Sequence, residues 1–88
     1  MFTKNDLKYQ LYYNWDTENP FQKELPSLQE NYVRFNGYHT LTLINIFAHK
    51  HHLHNIEDCH KLEDAIIVCP TIYKLYGDII CWLELDFL

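Results

Sequence analysis

The sequence predicts an α+β fold: a small single domain with an antiparallel sheet built from two hairpins, and two helices packed on one face of that sheet. Each predicted hairpin contains a dipeptide that favours a tight turn, Asn36-Gly37 in the first and Gly77-Asp78 in the second. Polar and apolar residues alternate over 40–43 and again over 81–87, which indicates strands with one buried face. A length of 88 residues suits one domain, which we place at 1–88.

The second arm of the first hairpin is ambiguous. Its β-branched residues favour a strand that extends to about Phe47; they are Thr40, Thr42, Ile44 and Ile46. Apolar residues of the same stretch also recur at helical spacing, namely Leu41, Ile44, Phe47 and Ala48. A helix over 41–50 is therefore the alternative.

Two capping patterns predict the helices. Thr3, with Asp6 three residues later, is a weak capping box for a helix that runs to about Trp15. Asn55, with Asp58 three residues later, caps a second helix, and Pro70 limits its length. The apolar stripe of the second helix comprises Ile56, Cys59, Leu62 and Ile66, whereas Glu57, Lys61, Glu63 and Asp64 are expected to face water.

The net charge of −5 is concentrated in the second half of the chain. Residues 1–50 carry five basic and five acidic side chains, whereas residues 51–88 carry two basic and seven acidic ones. Because phosphate contacts depend on Lys and Arg, and the chain has a single arginine, Arg34, direct nucleic-acid binding is not expected. The charge favours a basic protein as partner.

Composition excludes several other classes. With two glycines and one serine, the chain is short of the residues for a phosphate-binding loop or a serine nucleophile, and we expect no enzyme activity. No segment approaches the length of a membrane span, and the first residues do not resemble a signal peptide. Three cysteines cannot all pair, which favours free thiols in a reducing compartment, so we expect a cytoplasmic protein that does not bind membranes.

Five of the six histidines lie between positions 49 and 60, which raises a metal-binding alternative. On a strand, His49 and His51 would lie on the same face, a spacing that can hold one metal ion. His54 and Cys59 would complete a tetrahedral site, with zinc as the metal. The competing interpretation is a solvated loop whose imidazoles have no ligand, in which case the protein carries no cofactor.

Aromatic and acidic residues are the stronger indication of function. Interfaces are enriched in Tyr and Trp, and acidic side chains among them suit a basic partner. Around the first predicted helix these residues are Tyr9, Tyr12, Tyr13, Trp15, Asp16 and Glu18, and on the outer face of the last predicted strand they are Trp82, Glu84 and Asp86. The alternative is that the rings cover the core or form a homodimer contact.

The hypothesis that follows is a small acidic protein-binding module that inhibits a basic partner stoichiometrically. A nuclease or a nucleoprotein is a suitable target, and immunity proteins, antitoxin-like factors and phage-encoded inhibitors are the suitable classes. A metal-regulated protein and a structural homo-oligomer are the alternatives.

Overall fold

The structure, a computed structural model, describes residues 1–87 and contains three helices. They are α1 (Gly37–His51), α2 (Ile56–Val68) and α3 (Tyr76–Phe87), preceded by two single 3₁₀ turns at Lys4–Asp6 and Gln10–Tyr12. Within the described residues there is no strand, only two isolated bridges, Asn14–Asn36 and Asn31–Leu75. The predicted α+β fold, with its antiparallel sheet, its two hairpins and two helices on one face of the sheet, is therefore wrong.

Asn36-Gly37 begins a helix instead of forming a hairpin turn. The Oδ1 atom of Asn36 accepts hydrogen bonds from the amides of Tyr38 and His39, at 2.9 and 3.2 Å. These bonds satisfy two of the amide groups that a helix leaves without intrahelical partners at its start, which is why Asn is a favoured N-cap residue. The helical alternative for 41–50 is the correct one, within a helix that begins four residues earlier.

Gly37 is required by a close approach and not by its φ angle, which is not positive. A Cβ atom at position 37 would lie 2.5 Å from Cδ2 and Cζ2 of Trp15. The amide of Gly37 also donates to the carbonyl of Asn14 at 3.0 Å. The glycine that suggested a turn thus makes room for an indole ring against the start of α1.

Gly77-Asp78, the second predicted turn, lies in the first turn of α3. A Cβ atom on Gly77 would lie 3.0 Å from the carbonyl oxygen of Leu28, so this glycine also permits a close approach. Asp78 suits the positive end of the helix dipole. The buried residues of α3 recur at helical spacing, at Tyr76, Ile79, Ile80 and Leu83, whereas Cys81, which the strand prediction places on the inner face, is exposed.

The prediction of a helix at α2 is confirmed, but Ile56 is 44% exposed and not part of the buried stripe, and the side chain of Asn55 makes no capping hydrogen bond. The helix begins after Asn55 and ends before Pro70, and Cys59, Leu62 and Ile66 are buried. Glu63, however, is fully buried, although the sequence predicts that it faces solvent.

Glu63 also explains why the helix predicted from Thr3 to Trp15 does not form. In an α-helix the amides of Lys8 and Tyr9 would donate to carbonyls four residues earlier. Here both donate to the Glu63 carboxylate, and the chain is already extended at Leu7, where ψ is 137°. What remains of the helix is the two 3₁₀ turns, and in the first of them Asp6 accepts from the Thr3 amide at 2.7 Å.

Each helix packs against the other two. Their shared core contains side chains with no exposed surface, among them Leu43, Ile44, Phe47, Leu62, Tyr76, Ile79 and Leu83. Residues 1–36, which contain no α-helix, lie over this core and contribute Phe2, Leu7, Tyr13 and Tyr32 to it. Among residues 1–87, none of the helices has both the length and the apolar character that crossing a bilayer demands.

Candidate interaction surface

Four large apolar side chains lie side by side in solvent on the segment before α1. We call them the aromatic surface: Tyr9, Leu11, Tyr12 and Phe35, with exposed fractions between 41% and 101%. Tyr9, Leu11 and Tyr12 border one shallow depression, and the rings of Tyr12 and Phe35 lie 5.3 Å apart. The surface is therefore continuous across Tyr12.

The buried carboxylate of Glu63 fixes the backbone beneath this surface. Its Oε1 accepts from the amide of Lys8 at 2.7 Å, and its Oε2 accepts from the amide of Tyr9 at 3.2 Å and from the hydroxyl of Tyr13 at 2.7 Å. Successive backbone amides that converge on one anion are a recurrent way of stabilising a negative charge. The segment that carries Tyr9 and Tyr12 is thereby attached to α2.

The donors to Glu63 are neutral groups, and the neighbouring cation, Lys8, forms an ion pair with Asp64 instead. Nζ of Lys8 binds Oδ2 of Asp64 at 2.6 Å, and this pair is well exposed to solvent. The pKa of Tyr13 is raised far above its usual value, first by burial and then by its bond to Glu63, so the phenol keeps its proton and remains a donor.

Phe35 adopts a backbone conformation that is rare for a bulky residue. Its φ is 67°, in the left-handed region, and its ring is 56% exposed. The carbonyl of Phe35 accepts from the amide of Asn14 at 2.6 Å, which ties it to the segment after Tyr13. Such conformations cost about 1–3 kcal/mol and persist only where the surroundings impose them. Here the strained residue places an exposed ring against Tyr12.

The predicted residues of the first segment fall into two groups. Tyr9 and Tyr12 are exposed, whereas Tyr13 is buried and Trp15 is half-buried, with its Nε1 donating to the carbonyl of Gln10 at 2.8 Å. Trp15 also packs edge-on against Tyr38, with ring centroids 5.1 Å apart. Tyr13 and Trp15 therefore support the surface from within.

Asp16 and Glu18 are both exposed. Thr17, between them, accepts a hydrogen bond from Nδ2 of Asn36 at 3.3 Å, and Asn36 directly follows Phe35. No lysine or arginine occurs over residues 9–22. The segment bonded to Asn36 thus carries two carboxylates, whereas Nζ of Lys8 lies 5.0 Å from the ring of Tyr9.

The residues predicted on the last strand belong to α3 and make different contacts. Trp82 is half-buried against the core, and Oε2 of Glu84 binds Nζ of Lys50 and Nε2 of His51, both at 2.8 Å. Lys50 first, and His51 second, hold the pKa of Glu84 below its usual value. Glu84 thus joins α3 to the end of α1, and the side chain of Asp86 lies outside the described residues.

The predicted metal ligands are in different environments. His51 binds Glu84, whereas Cys59 is buried, with its thiol 3.9 Å from the carbonyl of Asp6. Burial, followed by the charge of Glu63, raises the pKa of Cys59 to about 11, which disfavours the thiolate that metals bind. His49 and His54 border a cleft of about 360 Å³. Among the side chains that the structure describes, no three His, Cys, Asp or Glu residues form a group that could hold a metal ion, and zinc binding stays a prediction.

Leu11, Phe35 and Glu63 belong to the candidate site, and the sequence does not reveal them. Phe35 falls in a predicted strand arm, and nothing local signals its positive φ. Leu11 fits the inner stripe of the helix that does not form, together with Leu7 and Trp15.

Comparison of the chain with protein-family models, curated proteins and solved structures found no match. Its own residues are therefore the basis for a function.

Proposed function

We propose that this protein is a small acidic binding module that inhibits a basic protein, such as a nuclease or a nucleoprotein, by forming a one-to-one complex. Immunity proteins, antitoxin-like factors and phage-encoded inhibitors are the classes whose size and charge it shares. The aromatic surface carries this proposal. We place the complex in the cytoplasm, because Cys59, Cys69 and Cys81 are all free thiols.

The aromatic surface has the properties of a set of binding anchors. Tyrosine and other aromatic side chains dominate binding energy at interfaces because they bury a large area with few rotatable bonds. Glu63 and the strained backbone of Phe35 hold the rings of this surface in place before a partner arrives. A pre-organised surface loses less conformational entropy on binding, which favours affinity.

Charge supports a basic partner. The chain has a net charge of −5, and Asp16 and Glu18 are exposed on either side of Thr17, which bonds to the residue after Phe35. Complementary charge accelerates association and disfavours acidic competitors. In this proposal the carboxylates occupy the place that nucleic-acid phosphates take on the target, and the aromatic rings supply the desolvated contact.

Site-specific photocrosslinking in the source cell tests the proposal. A benzoylphenylalanine in place of Leu11 puts the reactive group on the aromatic surface at a side chain that is fully exposed. The matched control is the same substitution at Leu85, which is 83% exposed. Leu85 follows Glu84, whose side chain binds His51 at the C-terminal end of α1, whereas Phe35 lies just before the N-terminal end of α1. The 15 residues of α1 separate these two ends by about 20 Å, so the control position lies at the opposite end of the helix.

The proposal predicts one basic protein crosslinked from position 11 and not from position 85, in a product with the mass of a one-to-one complex. Equal crosslinking from both positions would show non-specific contact and contradict it. A product containing two copies of this chain would favour the homo-oligomer alternative, and an acidic target would refute the electrostatic argument.

A further inference from the structure

His39 is a buried imidazole enclosed by aromatic rings at the start of α1. Its side chain lies 4.8 Å from the ring of Phe21, 5.9 Å from that of Tyr76 and 6.2 Å from that of Tyr32, measured between centroids. The residue is only 8% exposed. It therefore joins α1 to α3 and to the segment that leads into α1.

The hydrogen bonds of His39 determine its protonation state. The amide of Val33 lies 3.4 Å from Nδ1 and can only donate, so Nδ1 carries no hydrogen. The hydroxyl of Tyr76, 2.7 Å from the same nitrogen, must then donate as well. This hydrogen-bond pattern assigns a neutral imidazole with its hydrogen on Nε2.

Two features of the site oppose a positive charge on His39. Burial lowers its pKa, and the first turn of a helix disfavours cations. The titratable groups that face it are the phenols of Tyr32 and Tyr76 and, at longer range, the carboxylate of Glu30. Burial raises the pKa of both phenols, so Glu30 is the charged neighbour, and it offsets only part of the effect of burial.

We propose that His39 is a pH-sensitive latch. At neutral pH its Nδ1 accepts from the amide of Val33, and protonation of that nitrogen displaces this amide, which can only donate, whereas the hydroxyl of Tyr76 can turn to accept. Val33 lies two residues before Phe35, and its carbonyl accepts from the amide of Asn36. Opening the latch therefore loosens the segment that positions one ring of the aromatic surface, whether or not a partner is bound.

The direction of the pH effect follows from proton linkage. Because the pKa of His39 is lower in the folded state, the latch stabilises the closed segment fully above about pH 6.5, the usual histidine value. The stabilisation is lost as the pH falls from there towards the folded-state pKa. Over that range the open population rises about tenfold per pH unit.

NMR spectroscopy of the full chain tests the latch. Ring ¹⁵N shifts of the unmodified protein at pH 7.5 should show a hydrogen on Nε2 of His39 alone. The hydrogen-exchange protection factor of the Val33 amide should fall about tenfold per unit below pH 6.5. This fall should disappear in His39→Gln and persist in His54→Gln, whose parent side chain is exposed.

Two results would overturn the latch. One is a hydrogen on Nδ1 of His39 at pH 7.5, a measurement that needs no variant and so holds even where His39→Gln does not fold. The other is a fall in Val33 protection that is the same in His39→Gln as in the unmodified chain.

Discussion

The Oε2 atom of Glu63 accepts a hydrogen bond from the hydroxyl of Tyr13 at 2.7 Å, although the two residues lie 50 positions apart in the chain. Both side chains are buried. An uncompensated buried charge is costly, and here a phenol and two backbone amides compensate it. Together, these three hydrogen bonds to Glu63 attach residues 8–13 to α2 and so set the position of Tyr9, Leu11 and Tyr12.

Replacing Glu63 with Gln should destabilise the protein by about 3 kcal/mol, because the amide has one acceptor oxygen and would turn its NH₂ group towards a buried donor. Urea denaturation measures the change in the free energy of unfolding. Asp64→Asn is the matched control, since Asp64 is the next residue of α2 but pairs with Lys8 at the surface. Its effect should be much smaller. Equal losses in the two variants would show that the buried network is not a special source of stability.

Gly37→Ala should destabilise the protein by about 1–3 kcal/mol, although alanine favours helix formation, because the new methyl group overlaps the ring of Trp15. A double-mutant cycle isolates this clash. In the background of Trp15→Ala, which removes the ring, the same glycine substitution should cost little or should stabilise. A cost that does not change in that background would contradict the role of Trp15.

Asn36→Ala should lower the free energy of unfolding by about 1 kcal/mol through loss of the N-cap of α1. The chain offers its own control, because Asn55 precedes α2 in the equivalent position but makes no capping hydrogen bond with its side chain. Thermal or urea unfolding of Asn55→Ala should therefore show a smaller loss. Reversal of that order would contradict the capping assignment.

Asn36 and Gly37 show why the fold class could not be predicted from the sequence. Asn-Gly is compatible with a type I′ turn and with a helix start, and the choice depends on the contact between Gly37 and Trp15, 22 positions away. The alternation of Thr and Leu over 40–43 is likewise too short to exclude a helix. By contrast, α2 was predictable because the helical spacing of Cys59, Leu62 and Ile66 and the break at Pro70 are local signals.

The candidate site was predictable in part, for the same reason. Tyr9 and Tyr12 are exposed, and their residue type alone favours an interface. The burial of Glu63 and the positive φ of Phe35 depend on contacts with distant segments, which no local pattern encodes.

The ion pair of Glu84 on α3 with Lys50 and His51 on α1 predicts that the stability of the fold depends on pH in the acidic range. The pKa of Glu84 is held low by Lys50 and His51, so their contribution to stability is complete above the usual carboxyl pKa. It is lost as the pH falls through the lower, folded-state value. Urea midpoints measured between pH 7 and pH 3 should fall less steeply in Glu84→Gln than in the unmodified chain.

Glu24→Gln is the control for this prediction, because Glu24 is exposed and lies outside the helices. Its pH profile should match that of the unmodified protein. A Glu84→Gln profile that also matches would show that the bridge contributes nothing.

The most direct test of the central claim is the dissociation constant of the complex with the crosslinked target, measured by calorimetry for Tyr12→Ala and Leu85→Ala. Loss of an interface anchor costs about 2 kcal/mol or more, which corresponds to a Kd about 30-fold higher. We expect that weakening for Tyr12→Ala, with its circular dichroism unchanged, and a Kd within about threefold of the unmodified value for Leu85→Ala, a change below 1 kcal/mol. Unchanged affinity of Tyr12→Ala would contradict the claim that the aromatic surface binds the partner.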